Sequence, residues 1–335
     1  MKKFYTTILS LLLLGSVSAQ DTFSIIAVDP ATGEVGSAGA SCVTGVGAGG
    51  IIDIITDIIP GRGGINSQAY VCIPNINLQN GITRMDMGDS PTEVIDWLVN
   101  NDACSSQNFD PAFRQYGVAD FDEMGNPRTA GYTGNMTDAY TEDRQGATYS
   151  IQGNILLNQT VIDNMEDNFN NTSGTLADKL MAALQGANIP GADSRCLGAG
   201  TSSTTAYLLV YKEDDLPGQP YLRLNVGQQP SGTEPIDILQ GLYDDFLANE
   251  DNTLQNKLKL YPNPAKETIT LESIPGVELN SIEIFDLNGK LIQSLDLSNT
   301  SDLLVELNIS SYDSGVYFVK VNSPEGVSSM KFVKQ

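Results

Sequence analysis

Apolar and polar positions change period several times along this chain, and each change marks an element. The first apolar run, from Ile8 to Leu14, is nearly continuous, follows Lys2 and Lys3, and leads into Val17-Ser-Ala19. That is the three-part pattern of a secretory signal over residues 1–19, with cleavage after Ala19 leaving Gln20 first. The run is far shorter than the ~20 residues that span a bilayer, so no transmembrane segment is expected in the mature chain. From Thr22 the pattern is that of strands. Residues 22–28 read as one strand, Asp29-Pro-Ala-Thr-Gly33 as a turn, and residues 34–42 as the returning strand. Gln68 to Cys72 reads as a further strand or strand end. Residues 114–121 and 128–133 form a hairpin across Glu123-Met-Gly-Asn126, and strands are expected at 204–211 and 221–226.

Helical spacing appears between these runs. Ser90-Pro-Thr-Glu93 is a capping box with proline at the first helical position, opening a helix through Ile95, Trp97, Leu98 and Val99. Helices follow at 161–169 and 176–186, the second placing Leu176, Leu180, Ala183 and Leu184 on one face, and a closing helix is expected around 236–247. Strands, helices, then strands is the order of an α+β domain with helices layered on antiparallel sheets. This domain is assigned to residues 20–249. Polar residues 250–256 read as a linker. Beyond residue 257, seven short runs rich in β-branched and aromatic residues recur between turns up to residue 334, which predicts a small β-sandwich over 257–335.

Composition changes the functional picture. The net charge of −23 sits almost wholly on the larger domain. Such a surface repels a phosphate backbone, so no nucleic-acid partner is expected, nor an anionic membrane. Cys42, Cys72, Cys104 and Cys196 all lie in that domain, and in an exported chain they favour two disulfides, with three pairings open. Without a CxxC spacing or any histidine, a zinc site is not expected. The absence of histidine also removes Ser-His-Asp and Cys-His catalysis. A hydrolase built from this chain must take its base from a paired carboxylate, a lysine of depressed pKa, or a free α-amine, whose ordinary pKa of about 7.7–8.0 already suits the work.

Two motifs are set aside. Gly45-Val-Gly-Ala-Gly-Gly50 has GxGxxG spacing but lacks the βαβ context and the later acidic residue, so it reads as a mobile loop and not a dinucleotide site. Asp120-Phe-Asp122 with Gly125 lacks the remaining ligands of a calcium loop and reads as a solvated hairpin turn.

Residues 22–247 resemble a family within the N-terminal-nucleophile (Ntn) hydrolase superfamily, catalogued as domain of unknown function 1028. The motifs that carry the resemblance are Thr22-Phe-Ser-Ile-Ile-Ala27, Asp29-Pro-Ala-Thr-Gly-Glu34, Ser67-Gln-Ala-Tyr70, Arg114-Gln115, Tyr132-Thr-Gly134, Gln152-Gly-Asn154 and Gly191-Ala-Asp-Ser-Arg195. The resemblance implies an αββα sandwich and a hydrolase that cleaves a carbon–nitrogen amide bond of a small molecule or peptide, without cofactor or metal. Thr22 is then the nucleophile and, through its freed amine, the base. Asn154 and Gln152 become candidates for oxyanion or substrate contacts, and Asp193 and Arg195 for orienting the substrate or the amine. Since signal cleavage leaves Gln20-Asp21 in front, Thr22 must be freed by attack on the Asp21 carbonyl or by a second protease. If it is never freed, the domain is a catalytically silent, secreted ligand-binding domain of the same fold. Leu260-Tyr-Pro-Asn-Pro264, Ile284-Phe-Asp-Leu-Asn-Gly-Lys290, Ser314-Gly-Val-Tyr-Phe-Val-Lys320 and Lys331-Phe-Val-Lys334 resemble the sorting domain of type IX-secreted bacterial proteins. This resemblance implies passage through the periplasm, engagement of the type IX machinery, and a secreted or surface location.

Overall fold

The computed structural model describes residues 22–297, 303–324 and 326–335, so the expected signal segment lies outside the described residues. The chain forms two compact units, one ending at Gln240 and one beginning at Gly241. The first contains strands β1 (Phe23–Asp29), β2 (Glu34–Ser41), β3 (Thr56–Ile59), β4 (Gly63–Gln68), β5 (Gln115–Phe121), β6 (Pro127–Thr133), β7 (Glu142–Gln145), β8 (Tyr149–Gly153), β9 (Thr205–Tyr211) and β10 (Leu222–Val226). Its helices are α1 (Ile52–Ile55), α2 (Ile76–Asp86), α3 (Pro91–Asn100), α4 (Thr160–Asn171) and α5 (Leu176–Gly186), and α6 (Pro235–Asn256) begins in it.

The strands make two antiparallel sheets, one in the order β10-β9-β2-β1-β8-β7 and one in the order β3-β4-β5-β6. The sheets face each other, with β1 and β2 against β3, β4 and β5, while α2 and α3 cover the outside of the smaller sheet and α4 and α5 the outside of the larger. The result is four layers, helix–sheet–sheet–helix. Both sheets are covered on both faces, which is why β1, β2, β5 and β9 are buried along nearly their whole length and show little two-residue alternation in burial.

Local chemistry starts these elements. Asp29 accepts the Ala31 N–H at 2.9 Å and Gly33 adopts a φ of 72°, closing the β1–β2 turn. Ser90 with Glu93 caps α3, and Thr175 with Asp178 caps α5 in the same reciprocal way. α5 then packs so close to β2 that a Cβ on Gly36 would sit 2.6 Å from Leu180 Cδ1. Between the sheets, Ile26, Val28, Val35, Ile55, Ile58, Ala119, Phe121 and Leu209 form an apolar core. Beneath the smaller sheet a second core joins Ile65, Tyr116 and Val118 to Leu78, Met85, Val94, Ile95 and Leu98.

The second unit holds β11 (Leu258–Tyr261), β12 (Thr268–Ser273), β13 (Ser281–Asp286), β14 (Leu291–Asp296), β15 (Leu304–Asn308), β16 (Gly315–Ser323) and β17 (Gly326–Lys334). These form sheets β11-β12-β15 and β14-β13-β16-β17 around a core that includes Ile269, Leu271, Ile282, Ile284, Val319, Val321 and Phe332. The expected linker is corrected: the closing helix expected at 236–247 continues as α6 through residues 250–256. Polar residues with no proline or glycine extend a helix as readily as they make a linker. Both expected disulfides form, pairing Cys42 with Cys196 and Cys72 with Cys104. Among the described residues no helix is long and apolar enough to cross a membrane.

A Thr22-centred candidate site at one end of the sheets

Thr22 stands immediately before β1, the strand between β2 and β8 in the larger sheet. The β1–β8 register pairs Phe23 with Gly153, so Thr22 faces Asn154 one step further on. The pairing continues there in modified form. The Asn154 N–H donates to the Thr22 carbonyl at 3.2 Å, while the Thr22 N–H donates to the Asn154 side-chain Oδ1 at 2.8 Å. From the other sheet, Gln68 Nε2 also donates to the Thr22 carbonyl, at 2.9 Å. Thr22 and Asn154 are buried. Ile155 then turns the chain away from the sheet at a φ of 52° and donates its N–H to the Asp138 carbonyl.

Behind Thr22 the space between the sheets changes from apolar to polar. Ser24, Asn66, Gln68, Gln115 and Gln152 are all fully buried there. Ser24 Oγ bonds Gln68 Oε1 at 2.7 Å, Asn66 Nδ2 at 3.0 Å and Gln152 Nε2 at 2.5 Å. Gln68 Nε2 also reaches Gln115 Oε1 at 2.8 Å. Gly117 makes room for this packing, because a Cβ on it would meet Gln152 Oε1 at 1.8 Å. Each of these buried amides would cost about 1–3 kcal/mol if left unpaired, so the cluster stands only because its members satisfy one another.

Asp193 and Arg195 lie at the same end. Asp193 bridges to Leu156, two residues beyond Asn154, and the Ser194 N–H donates to the Ile155 carbonyl. The buried Asp193 carboxylate accepts the Cys42 N–H at 2.8 Å, the Arg195 N–H at 3.2 Å, and Arg195 Nε and Nη2 at 2.9 and 2.6 Å. With the Cys42–Cys196 disulfide beside it, this carboxylate anchors the end of β2 to the 194–199 turn. The second disulfide, Cys72–Cys104, lies on the other side of the same end, beyond β4. There Arg114, fully buried, donates to Asp102 and to the carbonyls of Tyr70, Cys104 and Ser106. Tyr70 in turn donates from its hydroxyl to Asp138 at 2.5 Å.

Thr22 and Asn154 are therefore in direct contact, Gln152 sits two pairs deeper with its amide N–H on Ser24, and Asp193 with Arg195 forms a bracket beside the Asn154 segment. Sequence reasoning missed Ser24, Gln68 and Gln115 as members of the cluster. Their signal was present in Ser67-Gln-Ala-Tyr70 and Arg114-Gln115, glutamines at strand ends where an apolar residue would ordinarily be buried. The Gly45–Gly50 loop is held by Gln228, which accepts the Gly45 N–H, and by Asn225, which donates to Ala48 and Gly49. Asp122 accepts the Met124 and Asn126 N–H groups as a hairpin-turn residue, and Asp120 faces away from it toward Arg62 and Arg128. Among the described residues no group of Cys, Asp and Glu is placed to hold a metal ion.

Fold and site together define an α+β domain of four layers, with a threonine-centred cluster of amides and hydroxyls at one end of its sheets. The chain belongs to the Family of unknown function (DUF1028), whose profile matches residues 22–236. A secretion system C-terminal sorting domain matches residues 259–335, which assigns the chain to type IX secretion and to the cell surface or medium. Among solved structures, protein SPO2555 from Silicibacter pomeroyi, of the same family, is 24% identical, with a TM-score of 0.52 over 67% of this chain and 88% of that one. Anbu (ancestral beta-subunit) from Yersinia bercovieri is 12% identical, with a TM-score of 0.37 over 68% of this chain and 95% of that one. A search of curated proteins found no match.

Proposed function

We propose that the larger unit is a secreted N-terminal-nucleophile hydrolase of a carbon–nitrogen amide bond, with Thr22 as nucleophile. The observation that carries this reading is the contact of the Thr22 nitrogen with Asn154 Oδ1 at 2.8 Å. Once Thr22 is the first residue, that nitrogen becomes an amine. A carbonyl oxygen can accept one of its N–H bonds and leave the lone pair for the threonine hydroxyl. The amine takes the hydroxyl proton as Oγ1 attacks the substrate carbonyl carbon, and returns it to the departing amine nitrogen. Water then resolves the ester on Oγ1 by the same proton route. Asn154 thus serves the base in this reading, rather than the oxyanion. Gln152, its amide on Ser24, supports the scaffold. Asp193 and Arg195 hold the wall of the site, where Arg195 meets the substrate side.

The rival reading, a secreted ligand-binding domain, is favoured by one observation: Thr22 is fully buried. A small β-lactone distinguishes the two. It should acylate the processed protein on Thr22, locatable by peptide mass mapping, with the label lost in Thr22→Ala. A processed protein that stays unlabelled while remaining folded removes the hydrolase reading.

A further inference from the structure

We infer that the bonds between the two sheets form one directed chain running from the Tyr207 hydroxyl to the Thr22 carbonyl, and that Gln68 is the positioning residue at its end. The inference rests on the hydrolase reading only for its catalytic consequence, not for the chain itself.

The directions follow from two backbone anchors. Gln68 Nε2 faces the Thr22 carbonyl, which can only accept, so the amide orientation of Gln68 is set. Gln115 Nε2 likewise faces the carbonyls of Gly153 at 3.0 Å and Glu142 at 3.1 Å, so its Oε1 must be the acceptor for Gln68. Gln68 Oε1 is then left to accept, and the Ser24 hydroxyl must donate to it. With its proton committed, Ser24 Oγ accepts from Asn66 Nδ2 and from Gln152 Nε2. Asn66 consequently turns Oδ1 toward Ser37, which donates to it at 2.9 Å. Ser37 has no second proton, so in its 2.9 Å contact with Tyr207 the phenol must be the donor. Burial pushes the Tyr207 hydroxyl well above the ordinary tyrosine range, which keeps that donor protonated at any pH the protein meets.

Three properties follow. Each link polarises the next, so donation to the Thr22 carbonyl is stronger than that of an isolated amide. The primary amides of Asn66 and Gln68 do not relay protons as a hydroxyl or imidazole does, so the chain positions rather than transports, and the base must lie at Thr22 itself. Close packing maintains it: a Cβ on Gly39 would meet Tyr207 Cε1 at 2.8 Å and Ser24 Cβ at 2.9 Å.

The test uses the full chain released at Thr22, with 13C,15N-threonine labelling, and follows the Thr22 amine by NMR titration alongside its rate of acylation by a small β-lactone. In that step Oγ1 bonds the lactone carbonyl carbon, the ring C–O bond breaks, and the hydroxyl proton passes through the amine to the released ring oxygen. Gln68→Met removes the donor facing Thr22. The amine should titrate at higher pH, the pH–rate profile should move with it, and the rate should fall about tenfold or more. The thermal midpoint should also fall, because Ser24 and Gln115 lose a partner, so the titration of the amine in the folded variant is the readout that decides. Ser24→Ala breaks the chain one link earlier and should move both readouts less, in the same direction; it carries the test if Gln68→Met does not fold. Folded variants whose amine titrates as in the parent protein would overturn the inference. If the titration shifts but the parent is never acylated, the directed chain stands and the hydrolase reading falls.

Discussion

Thr22 occupies a position where a strand-initial residue is held by three hydrogen bonds from two different strand neighbourhoods, two from Asn154 and one from Gln68. The hydrogen-bonding side chains around it are mostly amides and hydroxyls, and in the proposed mechanism the base is the α-amine. Charged residues nearby, Arg114 with Asp102 and Arg195 with Asp193, are paired with each other and shape the walls. Away from the site, Glu34 shows how a charge is tolerated at the edge of the core. Its carboxyl is raised above the ordinary value of 4.5 chiefly by burial, and further by Asp29, against the lowering effects of the Thr32 hydrogen bond and Lys212. The folded protein therefore holds that proton more tightly than the unfolded chain, and the associated stability, full below the unfolded value, is lost as pH rises through the folded one. Glu34→Gln should raise the unfolding midpoint at pH 7, and the gain should vanish below about pH 4. Thermal melts across pH check this, and an equal gain at both ends would contradict it.

At the scale of elements, legibility followed chemistry. α3 and α5 were readable because their capping boxes and apolar stripes agree, and the β1–β2 hairpin because Asp29 and Gly33 mark its turn. α2 was not, because Gly81 interrupts its pattern; the glycine is there because a Cβ would meet Ile65 Cδ1 at 2.6 Å. β7 and β8 were missed for two different reasons. β7, at the sheet edge, has only polar residues, with Arg144 paired to Glu142 and to Asp163 and Glu166 of α4, while Tyr149-Ser-Ile-Gln-Gly153 alternates over only five residues. Thr22, Asn154 and their neighbourhood were legible through motif resemblance, whereas Gln68 and Ser24, though they lie in the same motifs, showed that they bond each other only when the sheets were stacked. The disulfides join elements very unequal in separation, 154 residues for Cys42–Cys196 and 32 for Cys72–Cys104. Chain-entropy arguments assign them about 5 and about 4 kcal/mol. Paired Cys→Ser variants compared by denaturant unfolding should show the larger loss for Cys42–Cys196; a larger loss for the other pair would mean that its local contacts, not chain entropy, dominate.

For the whole molecule, the sorting unit and the strongly acidic charge describe a protein that works outside the cell, where disulfides persist. On the proposed mechanism the maturation of the chain decides what the larger unit does, since the amine that mechanism requires at Thr22 is locked in the peptide bond to Asp21 until the preceding residues are removed. The most direct measurement is therefore N-terminal and intact-mass analysis of the protein recovered from the medium of the native cells, with Thr22→Ala and Thr22→Ser beside it. The account predicts a mature terminus at Thr22. Its retention in Thr22→Ser and loss in Thr22→Ala would indicate self-release, and its presence in all three would indicate trimming by another protease. A terminus fixed at Gln20 in every case would contradict the account, leaving no amine at Thr22 and a secreted domain that binds without cleaving.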